Sequence, residues 1–240
     1  MQHATFVLVT GAGGDAWYWH LVAPKLQERG HAVISVDLPA ADDCAGLPEY
    51  AATVVRAIEE RDARRVILVA HSLGGFTAPL VCEKVPVASL VLVNAMVPKP
   101  GETPGKWWAN TAHREAKQEQ NVPDGRRSDA PFDPLLDFFH DVPQPVVDSA
   151  RARGERHQSA TVFGSPCTFK AWPAVPVRVL VGRDDRFFPA EFQRRVASQR
   201  LGVVTDEIPG GHLLALSQPE ALAERLSAYA EDTFSANNGI

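Results

Sequence analysis

Short, nearly continuous apolar runs recur along the chain with helical stretches between them, and this alternation limits the possible folds more than any other feature. Residues 6–10, 32–36, 66–70, 89–94, 177–182 and 203–208 are the predicted strands. A strand that is apolar at almost every position has to be covered on both faces, as parallel strands are. Helices are predicted at about residues 16–29, 49–61, 73–84, 189–200 and 219–232. Asp15 is placed to cap the first of them, and Gly30 lies just past its end. Pro189 and Pro219 suit a first helical turn, where the missing N–H costs nothing. Pro79 falls inside the third helix and should kink it. The repeated βα order predicts an α/β architecture: a doubly wound, mostly parallel sheet of about six strands.

Composition narrows the partners. Among 240 residues, 24 Lys and Arg face 29 Asp and Glu, a net charge of −5. That balance argues against nucleic acid, which requires a basic face. The longest apolar run, residues 66–70, spans five positions, against the roughly 18 needed to cross a bilayer. No membrane association is expected. The N-terminus shows no basic flank before its first strand, so no signal peptide is expected. Cys44, Cys82 and Cys167 have no metal or redox spacing and read as reduced thiols of a cytoplasmic protein. Oligomeric state leaves no mark in the sequence.

Residues 97–175 break the βα rhythm. They hold ten of the 19 prolines, the adjacent pair Trp107 and Trp108, and ten basic residues against ten acidic ones. A long insertion between parallel strands is usually functional, and its aromatic content argues for packing over disorder. We expect a cap over a core made of residues 1–96 and 176–240. Helices are expected around residues 106–119 and 143–156. Trp107 and Trp108 are the candidate pocket residues, because pockets are largely apolar and aromatic.

Ala70-His71-Ser72-Leu73-Gly74-Gly75 follows an apolar strand and opens a helix, matching the nucleophile elbow with Ala in its first position. A sharp strand-to-helix turn strains the serine backbone, and the neighbours two residues away on either side must be small. Ala70 and Gly74 meet that need. The turn lifts the hydroxyl above the sheet and points the Leu73 N–H at a reacting oxygen. Further on, Asp184 and Asp185 follow the strand that ends at Gly182, and His212 follows Gly210 and Gly211 after the last strand. Ser72, an aspartate and His212 therefore occur in the order expected of a serine triad, each beyond a strand end, where sites form in parallel sheets.

From residue 6 to about residue 234 the chain resembles the α/β-hydrolase family. Its stretch Phe6-Val7-Leu8-Val9-Thr10-Gly11-Ala12-Gly13-Gly14-Asp15-Ala16-Trp17-Tyr18-Trp19 is similar to the branch of small-ester esterases, plant methylesterases and hydroxynitrile lyases. That branch usually has His-Gly where this chain has Thr10-Gly11. The resemblance implies an α/β-hydrolase fold that lacks the family's first two strands, with the backbone amides of Ala12 and Leu73 as the oxyanion hole. It places the acid three residues after the strand-end glycine, which selects Asp185 over Asp184. Asp184 then reads as a turn-former bonding its own backbone. His71 reads as structural and His140 beside Asp141 as surface. The other histidines have no ligand spacing, so no metal and no cofactor are expected.

The expected activity is hydrolysis of a small or medium, uncharged carboxylic ester, a small-molecule substrate, through an acyl-enzyme. A lyase or carbon–carbon hydrolase on the same residues is the nearest alternative. Similar hydroxynitrile lyases carry Thr at the position of Gly11 and Lys at that of Leu213, and both departures favour hydrolysis. Residues 11–16 also fit a dinucleotide-binding G-x-G-x-x-[GA] run, with Asp37 near a ribose position. None of Tyr18, Tyr50 and Tyr229 has the Lys four residues on that short-chain dehydrogenases need. A ligand receptor without catalysis is the remaining class.

Overall fold

The structure, a computed structural model, describes residues 3–235. Strands β1 (Thr5–Val9), β2 (Ala32–Val36), β3 (Val66–His71), β4 (Ser89–Val93), β5 (Val177–Gly182) and β6 (Asp206–Ile208) form one sheet in the order β2-β1-β3-β4-β5-β6. Every pairing is parallel. The order reverses between β1 and β3, and the crevice beyond their carboxyl ends is where such sheets place ligands.

Helices α1 (Val22–Glu28), α2 (Leu47–Glu59) and α3 (Gly74–Cys82) join the first four strands. Between β4 and β5 run five short helices: α4 (Pro104–Asn110), α5 (His113–Asn121), α6 (Pro134–Asp137), α7 (Gln144–Ala152) and α8 (Thr161–Gly164). Helices α9 (Ala190–Leu201), α10 (Leu214–Ser217) and α11 (Pro219–Ser235) complete the chain. Successive strand residues point to opposite faces, so the apolar runs divide into two cores. Val7, Val9, Leu68 and Ala70 pack with α2, α3 and α9, while Phe6, Leu8, Ile67 and Val69 pack with α1 and α11. Among the described residues no helix is long and apolar enough to cross a membrane.

Two predicted elements change length for local reasons. The helix expected over residues 16–29 is a 3₁₀ turn, Ala16–Trp19, followed by α1; Asp15 does cap the turn, accepting from Trp17 N–H at 2.9 Å. Pro24 explains the break, since it has no N–H to donate to His20 and fits only the first turn of a new helix. The strand expected at residues 203–208 shortens to Asp206–Ile208, an edge strand; Val204 is 94% exposed. Pro79 lies inside α3, which runs on to Cys82.

Buried ion pairs fix the insertion. Asp137 is fully buried and bound by Lys117 (2.7 Å) and Arg126. Glu102, at the start of the insertion, pairs with Arg200 of α9, and both side chains are buried. Burial alone would raise the carboxyls of Asp137 and Glu102, but the cations and hydrogen bonds around them bring both below their ordinary range.

Candidate active site

Ser72 sits between β3 and α3 with φ +51°, the left-handed region that a non-glycine residue occupies at a cost. The surroundings hold it there: its N–H donates to the Val93 carbonyl, and its own carbonyl accepts from Gly75 and Met96 N–H at 3.1 and 2.9 Å. A Cβ on Gly11 would lie 2.7 Å from Ser72 Cβ, one on Gly74 2.6 Å from the Thr10 carbonyl oxygen, and one on Gly75 1.9 Å from that of Met96. The turn is possible only because these three positions are bare. Gly11 and Gly75 thus join Ala70 and Gly74, which the elbow spacing identifies.

His212 and Asp185 reach Ser72 from the neighbouring loops. His212 Nε2 is 3.2 Å from Ser72 Oγ, and Nδ1 is 2.8 Å from Asp185 Oδ2. A carboxylate can only accept, so Nδ1 carries the proton and Nε2 is left to accept from the serine hydroxyl. Asp185 and His212 are buried, while Ser72 remains partly exposed. Asp185 Oδ1 accepts from Phe187 and Phe188 N–H, each at 2.8 Å. Phe138 stacks on the His212 ring at 4.9 Å, and Phe187 and Phe188 meet it edge-on.

The loop carrying His212 is held by His71, which the sequence reading takes as structural, and by Asn94, which it passes over. The His212 carbonyl accepts from both His71 Nε2 and Asn94 Nδ2 at 3.0 Å, and Asn94 Oδ1 accepts from Gly182 N–H at 2.7 Å. A polar residue directly beyond the apolar run 90–93 is the signal that marks Asn94. Burial, reinforced by nearby His212, holds the His71 imidazole well below its ordinary pKa, against the opposing pull of that carbonyl bond. Asp184 does not bond its own backbone. Its Oδ2 accepts from Gly210 N–H at 2.9 Å and so ties the β5 loop to the histidine loop. His140 and Asp141 are not surface residues either. They pack on Gly211, whose N–H donates to Asp141 Oδ2, and a Cβ there would meet both side chains.

A cleft of about 250 Å³ opens over Ser72 and His212. Ala12 lines it, and neither Ala12 nor Leu73 N–H finds an acceptor among the described residues. Trp17, Tyr18, Phe138 and Phe139 form its aromatic wall. Thr10 also lines it, with a buried hydroxyl that has no partner among the described residues. The expectation for Trp107 and Trp108 is corrected: neither borders the cleft. Trp107 is fully buried, donates its indole N–H to Val97 carbonyl at 3.0 Å, and packs on Phe188 and Phe192; Trp108 packs against that core.

Comparison with known proteins agrees with this architecture. Residues 6–225 match the model of the alpha/beta hydrolase family. Norfluorocurarine synthase 1 of Strychnos sp is 25% identical over 96% of this chain and 96% of its own. Methylesterase 7 of Arabidopsis thaliana is 38% identical over 39% of this chain and 40% of its own. Among solved structures, polyneuridine aldehyde esterase superposes with a TM-score of 0.75 at 23% identity, covering 95% of this chain and 100% of that one.

Proposed function

The chain belongs to the α/β-hydrolase family and is an enzyme of its esterase-like kind, and from that premise we propose that it is a serine esterase acting on small or medium carboxylic esters. The observation that carries the proposal is the continuous hydrogen-bonded chain Ser72–His212–Asp185 ending at an open cleft. Ser72 Oγ attacks the carbonyl carbon while His212 Nε2 takes its proton, and Asp185 stabilises the imidazolium that forms. The Ala12 and Leu73 N–H groups receive the oxyanion, each worth roughly 10²–10³ in rate by precedent. His212 passes its proton to the departing alkoxide. Water, deprotonated by His212, then opens the acyl-enzyme to acid and free Ser72. Residues 97–175 serve as the cap over a core of 1–96 and 176–240, a role supported by Phe138 on the His212 ring and Asp141 on Gly211.

A fluorophosphonate probe should label the protein at Ser72. Ser72→Ala should abolish labelling and cut ester turnover by roughly 10⁴–10⁶, since triad members act as a unit, with unchanged circular dichroism. Labelling of the alanine variant, or retained turnover, would remove Ser72 from the mechanism. Absence of both labelling and turnover in the unaltered protein would instead leave the non-catalytic receptor reading standing.

A second reading, a lyase or carbon–carbon hydrolase on the same residues, is kept beside it because two relatives that match nearly the whole chain are named synthases and not esterases. Identification of products from ester and carbon-acid substrates separates the two. The dinucleotide reading has less support, because the Asp37 carboxylate is taken by Ala16 N–H at 2.8 Å.

A further inference from the structure

The charge of the insertion cancels in the sequence but not at the cleft. Arg153 and Arg156, beyond the end of α7, both line it, and Asp15 is the only carboxylate that does so among the described residues. Arg153 Nη2 lies 3.0 Å and Arg156 Nη2 2.8 Å from the same Asp15 Oδ2. One carboxylate facing two guanidiniums leaves an excess positive charge. Asp15 Oδ1 is engaged as well, by Trp17 N–H at 2.9 Å. Burial raises the Asp15 carboxyl, but the Trp17 bond and the two cations outweigh it and hold the group ionised.

None of the ten acids of the insertion borders the cleft, and several are engaged elsewhere. Asp137 serves Lys117 and Arg126, Glu102 serves Arg200, and Asp129 pairs with Arg127. Glu155 lies between the two arginines in sequence but is exposed and does not border the cleft. His71, in the cleft wall, is kept neutral by burial.

The position of the pair ties it to the reacting centre. Arg156 Cβ would touch a Cβ placed on Gly13 at 3.3 Å, so its stem rests on the residue after the Ala12 amide. The Arg153 guanidinium stands 5.2 Å from the centre of the Trp17 ring, which also walls the cleft. Each guanidinium carries five N–H donors in a fork that suits a carboxylate, and Asp15 consumes only part of this set. We propose that Arg153 and Arg156 form an anion-recognition site at the mouth of the cleft, so that the preferred ester carries a carboxylate remote from its scissile bond. This departs from the uncharged substrate that the balanced composition suggests, and it rests on the esterase reading above. The reaction itself is ordinary hydrolysis, with water supplying the oxygen of the new acid and the proton of the released alcohol.

The test compares monomethyl esters of the dicarboxylic acids from succinate to suberate with the matching dimethyl esters. The best monomethyl ester should exceed its neutral partner in kcat/KM by about 10–100-fold at low salt. That preference should shrink several-fold in about 0.3 M NaCl, because half-exposed cations are screened. Arg153→Gln with Arg156→Gln should bring the ratio close to one. Arg153→Lys with Arg156→Lys, which keeps both charges, should retain most of it. Hexanoate should perturb Trp17 fluorescence at lower concentration than hexanamide, and the glutamine pair should erase that difference. A ratio near one in the unaltered protein, or a preference that survives the glutamine pair, would overturn the proposal while leaving the esterase intact. If neither ester class is cleaved and Ser72 is not labelled, the esterase reading fails instead, and hexanoate binding still decides the role of the arginines.

Discussion

Asp185 is fixed whatever its histidine does: two backbone N–H groups hold one oxygen, and Gln193 Nε2 lies 3.3 Å from the other, which His212 shares. Asparagine at this position would offer an amide N–H₂ to the same cage and could not accept at both oxygens. It would favour the wrong imidazole tautomer. Asp185→Asn should therefore lower kcat by about 10⁴, following the precedent of other triads. Asp184→Asn keeps an oxygen to accept from Gly210 N–H, so steady-state kinetics should show a loss under about tenfold, with most of the damage in loop stability. A larger loss for Asp184→Asn would exchange the two roles. The sequence separates these neighbours only through a family spacing. The structure gives the physical reason, since one carboxylate faces the imidazole and the other faces a backbone amide.

Among the elements, legibility followed how local the determinant is. The inner strands β1, β3 and β4 could be read because two-sided burial demands nearly continuous apolar runs, and the elbow could be read because steric crowding demands small residues at fixed offsets. Val203 and Val204 misled for the opposite reason: an apolar pair at a sheet edge can pack or stay exposed without joining the ladder. The insertion was the least legible part, because its short helices are set by long-range contacts. Glu102 finds Arg200 across 98 positions, and Asp141 finds Gly211 across 70. Trp107 belongs to this class. Its indole anchors α4 to the segment after β4, through the Val97 carbonyl, and to Phe188 and Phe192 of the β5–α9 region, so it acts on stability and not on substrate size. Trp107→Ala should cost about 3–5 kcal/mol, the range for large buried aromatics, as read by urea denaturation. Trp108, only half-buried, should cost less. A selective rise in KM for bulky esters in Trp107→Ala, with unchanged stability, would return it to the pocket.

Across the whole molecule, the buried His31 and His71 and the half-buried His113 make the fold sensitive to acid before its carboxylates do. Burial is the largest cause lowering the pKa of His71, His31 and His113, and neighbouring basic groups add to it; the carbonyl bonds of His71 and His113, and the carboxylates Glu231 near His31 and Asp185 near His113, oppose it without reversing the shift. In the unfolded chain each would take up a proton near the ordinary value of 6.5, so between that pH and the lower native pKa the unfolded state binds more protons. Stability must then rise with pH through this window and fall on acidification below about 6.5. The ion-paired carboxylates work in a separate, lower window. Asp15, Asp137 and Glu102 have native pKa values below the ordinary 3.8 and 4.5. They stabilise the fold above those values and lose that contribution only as pH drops through their native ones. Urea midpoints measured from pH 8 to pH 4.5 should therefore be level above about 7 and decline steadily from about 6.5 downward. His31 sits against Phe6 at the far end of β1 from the cleft, so His31→Asn can flatten the slope without touching the reacting groups. His71→Asn should flatten it further, because His71 is the more deeply buried, while also loosening the His212 loop and slowing turnover. A midpoint that stays constant or rises as the pH falls from 7 to 5 would mean that these imidazoles are protonated in the native fold. The His71 bond to the His212 carbonyl would then join a cation to the triad loop and not a neutral ring.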